Sequence, residues 1–326
     1  LLNQGQVSAL GRCRRDRRGT LVVASPAVDA EAAQQREKVS ETASDVDDEL
    51  AVQVVPVDEP TRQVLGVSAE MRGVVQRVLV IRRVVERGRI ELQKRASEVW
   101  PDILRLGDPA KDAAISLHHL ASGVSGWLAS EPPGTTFRYN NAAFTAAERV
   151  TARMLGLARD EIAPEVSRQF KSALNAESWR CYHFEREFTP GDRDNPGAKL
   201  AIDSNLRDLA AWGELWLNAG DWHGRRLIPE EWVARATSRV NPHIPNALYG
   251  YNWFTNCGSQ LWPEVAEDSF GHPGWGTFKP SGTESGAFLW ICPSLQVVAA
   301  MVPARSTGFT GDFLEVPMLL TTQWIA

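Results

Sequence analysis

The chain has 326 residues, 43% of them hydrophobic and 23% charged, with a net charge of −5. That is enough apolar material for a substantial core, and the balance excludes a disordered chain, a coiled coil and a collagen-like polymer. The four Cys residues (13, 181, 257 and 292) are too few and too scattered for a disulfide scaffold, no uncharged apolar run approaches the ~18 residues of a membrane span, and mild acidity argues against general nucleic-acid binding.

The aromatic residues are unevenly placed. All 12 Trp, 11 Phe, 4 Tyr and 6 His lie at position 100 or later. Aromatic side chains dominate core energetics, so the first third belongs to a different compositional regime.

Taken in chain order, residues 1–60 form a poorly defined segment with a basic knot (Arg12, Arg14, Arg15, Arg17, Arg18) and an acidic one (Asp45, Asp47, Asp48, Glu49), both expected on solvated surface. Leu21–Val23 and Ala51–Val57 are β-branched runs that suit edge strands, the second limited by Pro56. Leu1–Leu10 is too polar for the core of a signal peptide. From Arg72 to Gly88, Val74, Val75, Val78, Leu79, Ile81, Val84 and Val85 recur at helical spacing between arginines, which predicts a helix with one buried face. Further helices are expected over Ser116–Leu120, Ala142–Gly156, Ser204–Asn218 (capped by Asp203-Ser204) and Pro229–Ala236.

After about residue 245 the signal changes to strands: Tyr249–Thr255, Ser269–Phe278, Gly286–Ile291 and Val297–Val302, the last two joined by a hairpin across 292–296. Phe313–Ile325 suits a closing helix. The order predicts an α+β fold, an antiparallel β-sheet flanked by helices with an inserted, mostly helical region. The expected division is a sandwich domain from 61–100 and 245–326 and a helical domain from 101–244.

Gly-x-Ser-x-Gly, Walker, Gly-x-Gly-x-x-Gly, His-Glu-x-x-His and Cys-x-x-Cys motifs are all absent, so no metal or nucleotide cofactor is expected. His118 and His119 are neighbours on a helix and therefore face different directions, which disfavours a metal pair.

A set of phrases in fixed order does carry a signal. Ile115–Leu120 is followed by Ser122-Gly-Val-Ser-Gly-Trp127, then by Pro133-Gly134 leading to Tyr139-Asn140-Asn141. Asp208–Gly213, Trp222–Pro229 and Glu231-Trp232 come next, and then Tyr249-Gly-Tyr251 and Phe270-Gly-His272-Pro273-Gly274-Trp275. Together these resemble the class C β-lactamase-like serine hydrolases, the penicillin-binding-protein-like family with esterase and D-aminopeptidase-type members. Tyr139-x-Asn141 is similar to its Tyr-x-Asn element and His272-x-Gly274 to its third motif, which is Lys-Thr-Gly in β-lactamases.

The resemblance implies a serine hydrolase that acts through an acyl-enzyme on a small ester or amide. Ser68 would be the nucleophile at the start of the first long helix and Tyr139 the base or proton relay. Asn141 would position substrate or relay, and His272 would line the pocket and pass protons. Gly274 would admit the substrate, and the Trp275 backbone N–H would share the oxyanion hole with that of Ser68.

Met71 stands where the family has the lysine that activates the serine; a thioether accepts no proton, and no Ser-x-x-Lys occurs elsewhere in the chain. The alternative is therefore a catalytically impaired protein of the same fold with a binding or scaffolding role. Each site residue also has a plain structural reading: Ser68 as a helix N-cap, Tyr139 and Asn141 as a hydrogen-bonded pair, and His272 as a capped strand end. A stretch rich in Arg, Val, Glu and Ala and free of aromatics is also what a shifted reading frame in GC-rich DNA produces.

Overall fold

The computed structural model describes residues 13–15, 21–23, 52–53, 69–71, 91–184, 199–273 and 288–301. The first strands are short: β1 (Cys13–Arg15), β2 (Leu21–Val23), β3 (Val52–Gln53) and β4 (Ala69–Met71). Leu21–Val23 is a strand as its β-branched run predicts, and Val52–Gln53 is a strand within the second run.

Helices begin with α1 (Ala96–Val99), a 3-10 turn at Pro101–Arg105 and α2 (Pro109–Asp112), whose N-cap Asp108 accepts from the N–H groups of Ala110 and Lys111. Next are α3 (Leu117–Ala121), capped by Ser116, and α4 (Asn141–Leu155), which ends on Gly156 at φ +70. Only glycine enters that left-handed region freely, so the helix stops there. α5 (Arg159–Phe170) carries Pro164 within it and was not expected from periodicity.

Two further strands follow, β5 (Arg180–Phe184) and β6 (Lys199–Ser204), then α6 (Leu206–Leu217), the two-residue strands β7 (Asp221–Trp222) and β8 (Arg225–Arg226), and α7 (Glu230–Ala236). The expected cap of α6 is displaced by one position. Residues 199–204 are extended and paired with β5 and β4, so Asn205 is the first residue free to cap, and its Oδ1 accepts from the N–H of Asp208 at 2.8 Å. The last strands are β9 (Phe254–Thr255), β10 (Phe270–Pro273), β11 (Phe288–Cys292) and β12 (Val297–Met301).

The main sheet runs β1-β2-β12-β11-β10-β9, with β3 also on β12. Its β9 to β12 meander is antiparallel, and the hairpin across residues 293–296 is where the turn signal places it. β2 meets β12 in parallel. Every residue of β11 is buried, as expected for a strand covered on both faces. α6 lies across β11 and β12; a Cβ on Gly213 would come 2.5 Å from Val298 Cγ1, so the glycine allows this close crossing.

β4, β6 and β5 form a second sheet, in which Met71 pairs with Ile202. Met71, which the resemblance sets near the start of the first long helix, lies instead on an extended segment. Ser68 itself, the predicted helix over 72–88 and the predicted closing helix over 313–325 lie outside the described residues.

The aromatic-rich part of the chain supplies the core. Phe170, Trp212, Trp216, Trp253 and Phe270 stack edge to face in sequence with centroid distances of 5.4, 5.9, 5.0 and 5.2 Å. This chain of rings joins α5 through α6 to β10, and each such pair adds about 0.5–1.5 kcal/mol beyond its buried area. Among the described residues, no helix is long and apolar enough to cross a membrane.

Candidate functional site

Three local devices fix Tyr139. Gly134 N–H donates to Val124 O at 2.7 Å and Arg138 N–H to Gly123 O at 2.8 Å, tying the Pro-Gly segment to the Ser-Gly turn. Gly123 sits at φ +74 with the Phe137 ring against it, so a Cβ fits neither the backbone nor the space. Asn140 caps α4 by accepting from Ala143 N–H at 3.1 Å, while its Nδ2 donates to Trp127 O at 2.8 Å. Asn140 is 4% exposed and thereby anchors the residue beside it. Asn141, the predicted partner, is half-buried and opens the helix itself.

His272 comes from the other end of the chain, on β10, where it pairs with Leu289. The fold brings Tyr139 and His272 together across 133 residues, with Tyr139 Oη 3.4 Å from His272 Nε2. The two differ in access: Tyr139 is 39% exposed and His272 1%. His272 therefore sits behind the tyrosine, whereas the sequence placed it along the pocket wall. Its Nδ1 lies 2.6 Å from Pro273 O. A carbonyl only accepts, so Nδ1 carries the proton, and in the neutral ring Nε2 is then the acceptor towards the phenol.

Sequence reasoning missed Tyr249. Its hydroxyl is 3.2 Å from the same Nε2, and it is wholly buried. Of the expected strand over 249–255, Phe254–Thr255 pairs in the sheet as β9, while the residues before it make a tight turn: Tyr249 bridges Phe254, and Gly250 N–H donates to Trp253 O at 2.8 Å. Tyr249 stands in the Tyr-Gly-Tyr phrase already singled out, but local spacing gives no hint of a contact 23 residues further on. Around the pair, Phe254 stacks parallel to Tyr139 (6.1 Å, 8°) and Phe144 meets it edge-on (5.0 Å), so the hydroxyls lie in an aromatic frame.

His118 and His119 do face apart. His118 contacts Tyr251 Oη through Nδ1 at 2.7 Å and Asn241 Oδ1 through Nε2 at 2.9 Å. His119 Nδ1 accepts from Ser116 N–H at 3.2 Å in a capping box. Burial pushes the pKa of both below the ordinary histidine value; the charges of Arg235 and His243 add to this at His118, against the opposing hydrogen bond that His118 donates to Asn241 Oδ1.

Ser68, Gly274 and Trp275 lie outside the described residues. Among the described residues, no group of three or more His, Cys, Asp or Glu is arranged to hold a metal. A surface hollow of about 550 Å³ is lined by Glu214, Asn218, Asp221, His223 and Gly224 and includes none of the predicted site residues.

A family model described as Beta-lactamase matches residues 77–316, beginning after Ser68 and Met71. Among solved structures, the chain resembles a β-lactamase from Mycobacterium bovis at 18% identity and TM-score 0.53, covering 78% of this chain and 86% of that one. A D-stereospecific amidohydrolase from Streptomyces sp. matches at 17% identity and TM-score 0.55, over 77% and 86% of the two chains. A family VIII carboxylesterase matches at 16% identity and TM-score 0.54, over 77% and 82%. At such identities the likeness establishes the fold. No curated protein sequence matches the chain.

Proposed function

This chain is a member of the Beta-lactamase family, and from that premise we propose that it is a serine hydrolase that cleaves small esters or amides through an acyl-enzyme. The observation that carries this reading is the hydroxyl of the exposed Tyr139 backed by the ring nitrogen of the buried His272. The fold is also that of an esterase and an amidohydrolase, which supports the same class of chemistry.

The proton path follows from the tautomer. As the serine oxygen attacks the carbonyl carbon, its proton passes to Tyr139 Oη while the Tyr139 proton moves to His272 Nε2. The leaving oxygen or nitrogen then takes its proton back along the same path as the carbonyl bond breaks, leaving the acyl group on the serine. Water enters by the same route in deacylation. Such proton transfer contributes about 10²- to 10⁴-fold. Here His272 stands in for the base that the family places at position 71. Ser68 is the proposed nucleophile, with the Trp275 and Ser68 N–H groups as oxyanion donors and Asn141 and Gly274 on the substrate.

A second reading is favoured by one observation: Met71 is on a strand, and the family match begins only at residue 77. A chain without an activated serine would keep the fold as a binding protein. A fluorophosphonate probe followed by peptide mapping separates the two. Label on Ser68 supports the first reading in full, label on another serine replaces the nucleophile, and no label on folded protein overturns catalysis in favour of binding.

A further inference from the structure

Outside Tyr139 and His272, the group placed closest to their chemistry is the Tyr249 hydroxyl. Tyr249 lies nearer to His272 Nε2 than Tyr139 does, 3.2 against 3.4 Å. Both Tyr249 and His272 are closed to solvent, so water is poorly placed to replace that contact. The ring nitrogen on the far side is already committed to Pro273 O at 2.6 Å. The imidazole is thus held at both nitrogens within the protein, and of the two tyrosines at Nε2 it is Tyr139 that meets solvent.

The backbone that carries Tyr249 is equally constrained. Val240 N–H donates to Tyr249 O, Thr255 N–H to Leu248 O at 3.1 Å, and Tyr251 N–H to Ala236 O at 2.9 Å. Gly250 faces the Ala236 carbonyl with no room for a Cβ. The Tyr249 ring is packed against Phe254 at 4.8 Å and Phe137 at 5.3 Å and lies edge-on to Tyr139 at 6.3 Å. It is the shared neighbour of the groups that frame the relay.

We propose that Tyr249 is a positioning residue of this relay: its buried hydroxyl holds the His272 imidazole so that Nε2 is presented to Tyr139. The neutral ring has one lone pair at Nε2, shared by the O–H groups of Tyr249 and Tyr139 at 3.2 and 3.4 Å, so Tyr249 fixes the orientation of the ring and yields the pair when the Tyr139 proton moves. Tyr249 does not reach substrate; it acts through His272. The kinetic consequence rests on the hydrolase reading, while the structural one does not.

The test uses the full chain labelled with ¹⁵N-histidine, with His272→Gln to assign the His272 resonances. Tyr249→Phe removes one hydroxyl, and the His272 Nε2 resonance is expected to leave its wild-type position while those of His118 and His119 stay. An unmoved His272 resonance in folded Tyr249→Phe overturns the proposal, whatever the activity. Should that variant not fold, fluorotyrosine incorporated into Tyr139→Phe leaves Tyr249 as the phenol beside Nε2, and the same resonance must shift; its failure to do so overturns the proposal. With p-nitrophenyl acetate, Tyr249→Phe is expected to lower kcat about fivefold to tenfold with KM kept, the loss of one hydrogen bond. A kcat unchanged from an active wild type overturns the positioning role. A wild type that neither hydrolyses nor labels sinks the hydrolase reading alone, and the resonance still decides Tyr249.

Discussion

Tyr139→Phe separates catalysis from stability more cleanly than any other change in this protein. The substitution removes one oxygen, 3.4 Å from His272 Nε2, and leaves the ring and its stacking on Phe254. With Tyr139 at 39% exposure, the hydroxyl has water as an alternative partner, so its loss costs folding little, about 0.5 kcal/mol. Under the proposed relay, catalysis loses far more, because the serine proton then has no carrier to the buried imidazole. General acid–base assistance of about 10²- to 10⁴-fold corresponds to roughly 2.7–5.5 kcal/mol of barrier. The assay pairs kcat/KM on p-nitrophenyl acetate with thermal unfolding of the same samples. The expected outcome is at least a hundredfold fall in kcat/KM with Tm within about 2 °C of wild type. An enzyme that keeps wild-type kcat/KM without this hydroxyl refutes the relay.

The buried histidines give a pH signature. The folded-state pKa of His118 lies below the ordinary 6.5 because burial disfavours the imidazolium, so the unfolded chain takes up its proton first as pH falls. Stability is therefore intact above about pH 6.5 and declines below it, by at most about 1.4 kcal/mol per pH unit for this group. Urea unfolding at pH 7.5 and 5.5 should show a smaller pH loss in His118→Gln than in wild type; equal losses would remove His118 as the cause. Gly250→Ala forces a Cβ to within 1.9 Å of Ala236 O, a backbone atom that cannot turn aside. A cost of about 3 kcal/mol and a Tm drop of roughly 5–10 °C are expected, and an unchanged Tm would show that the 236–250 contact yields.

Legibility followed the range of the interaction. The periodicity and turn signals of 142–156 and 286–302 gave the long helix and the closing hairpin, because caps, alternation and left-handed glycines act over a few residues. The α6 cap moved from Ser204 to Asn205 because pairing with β5 and β4 keeps residues through Ser204 extended. The same pairing holds Met71 on a strand against Ile202, where the resemblance had put it near the start of a helix.

The site divides in the same way. The sequence by itself determined that Tyr139 and His272 are the candidate pair, since their ordered motifs are written in the chain. Only the tertiary structure decided how the two are arranged. It buried the imidazole behind the phenol, spent Nδ1 on Pro273, and brought the hydroxyl of Tyr249 to Nε2. Depth, tautomer and a shared acceptor depend on distances between segments up to 133 residues apart, and local spacing does not encode those distances.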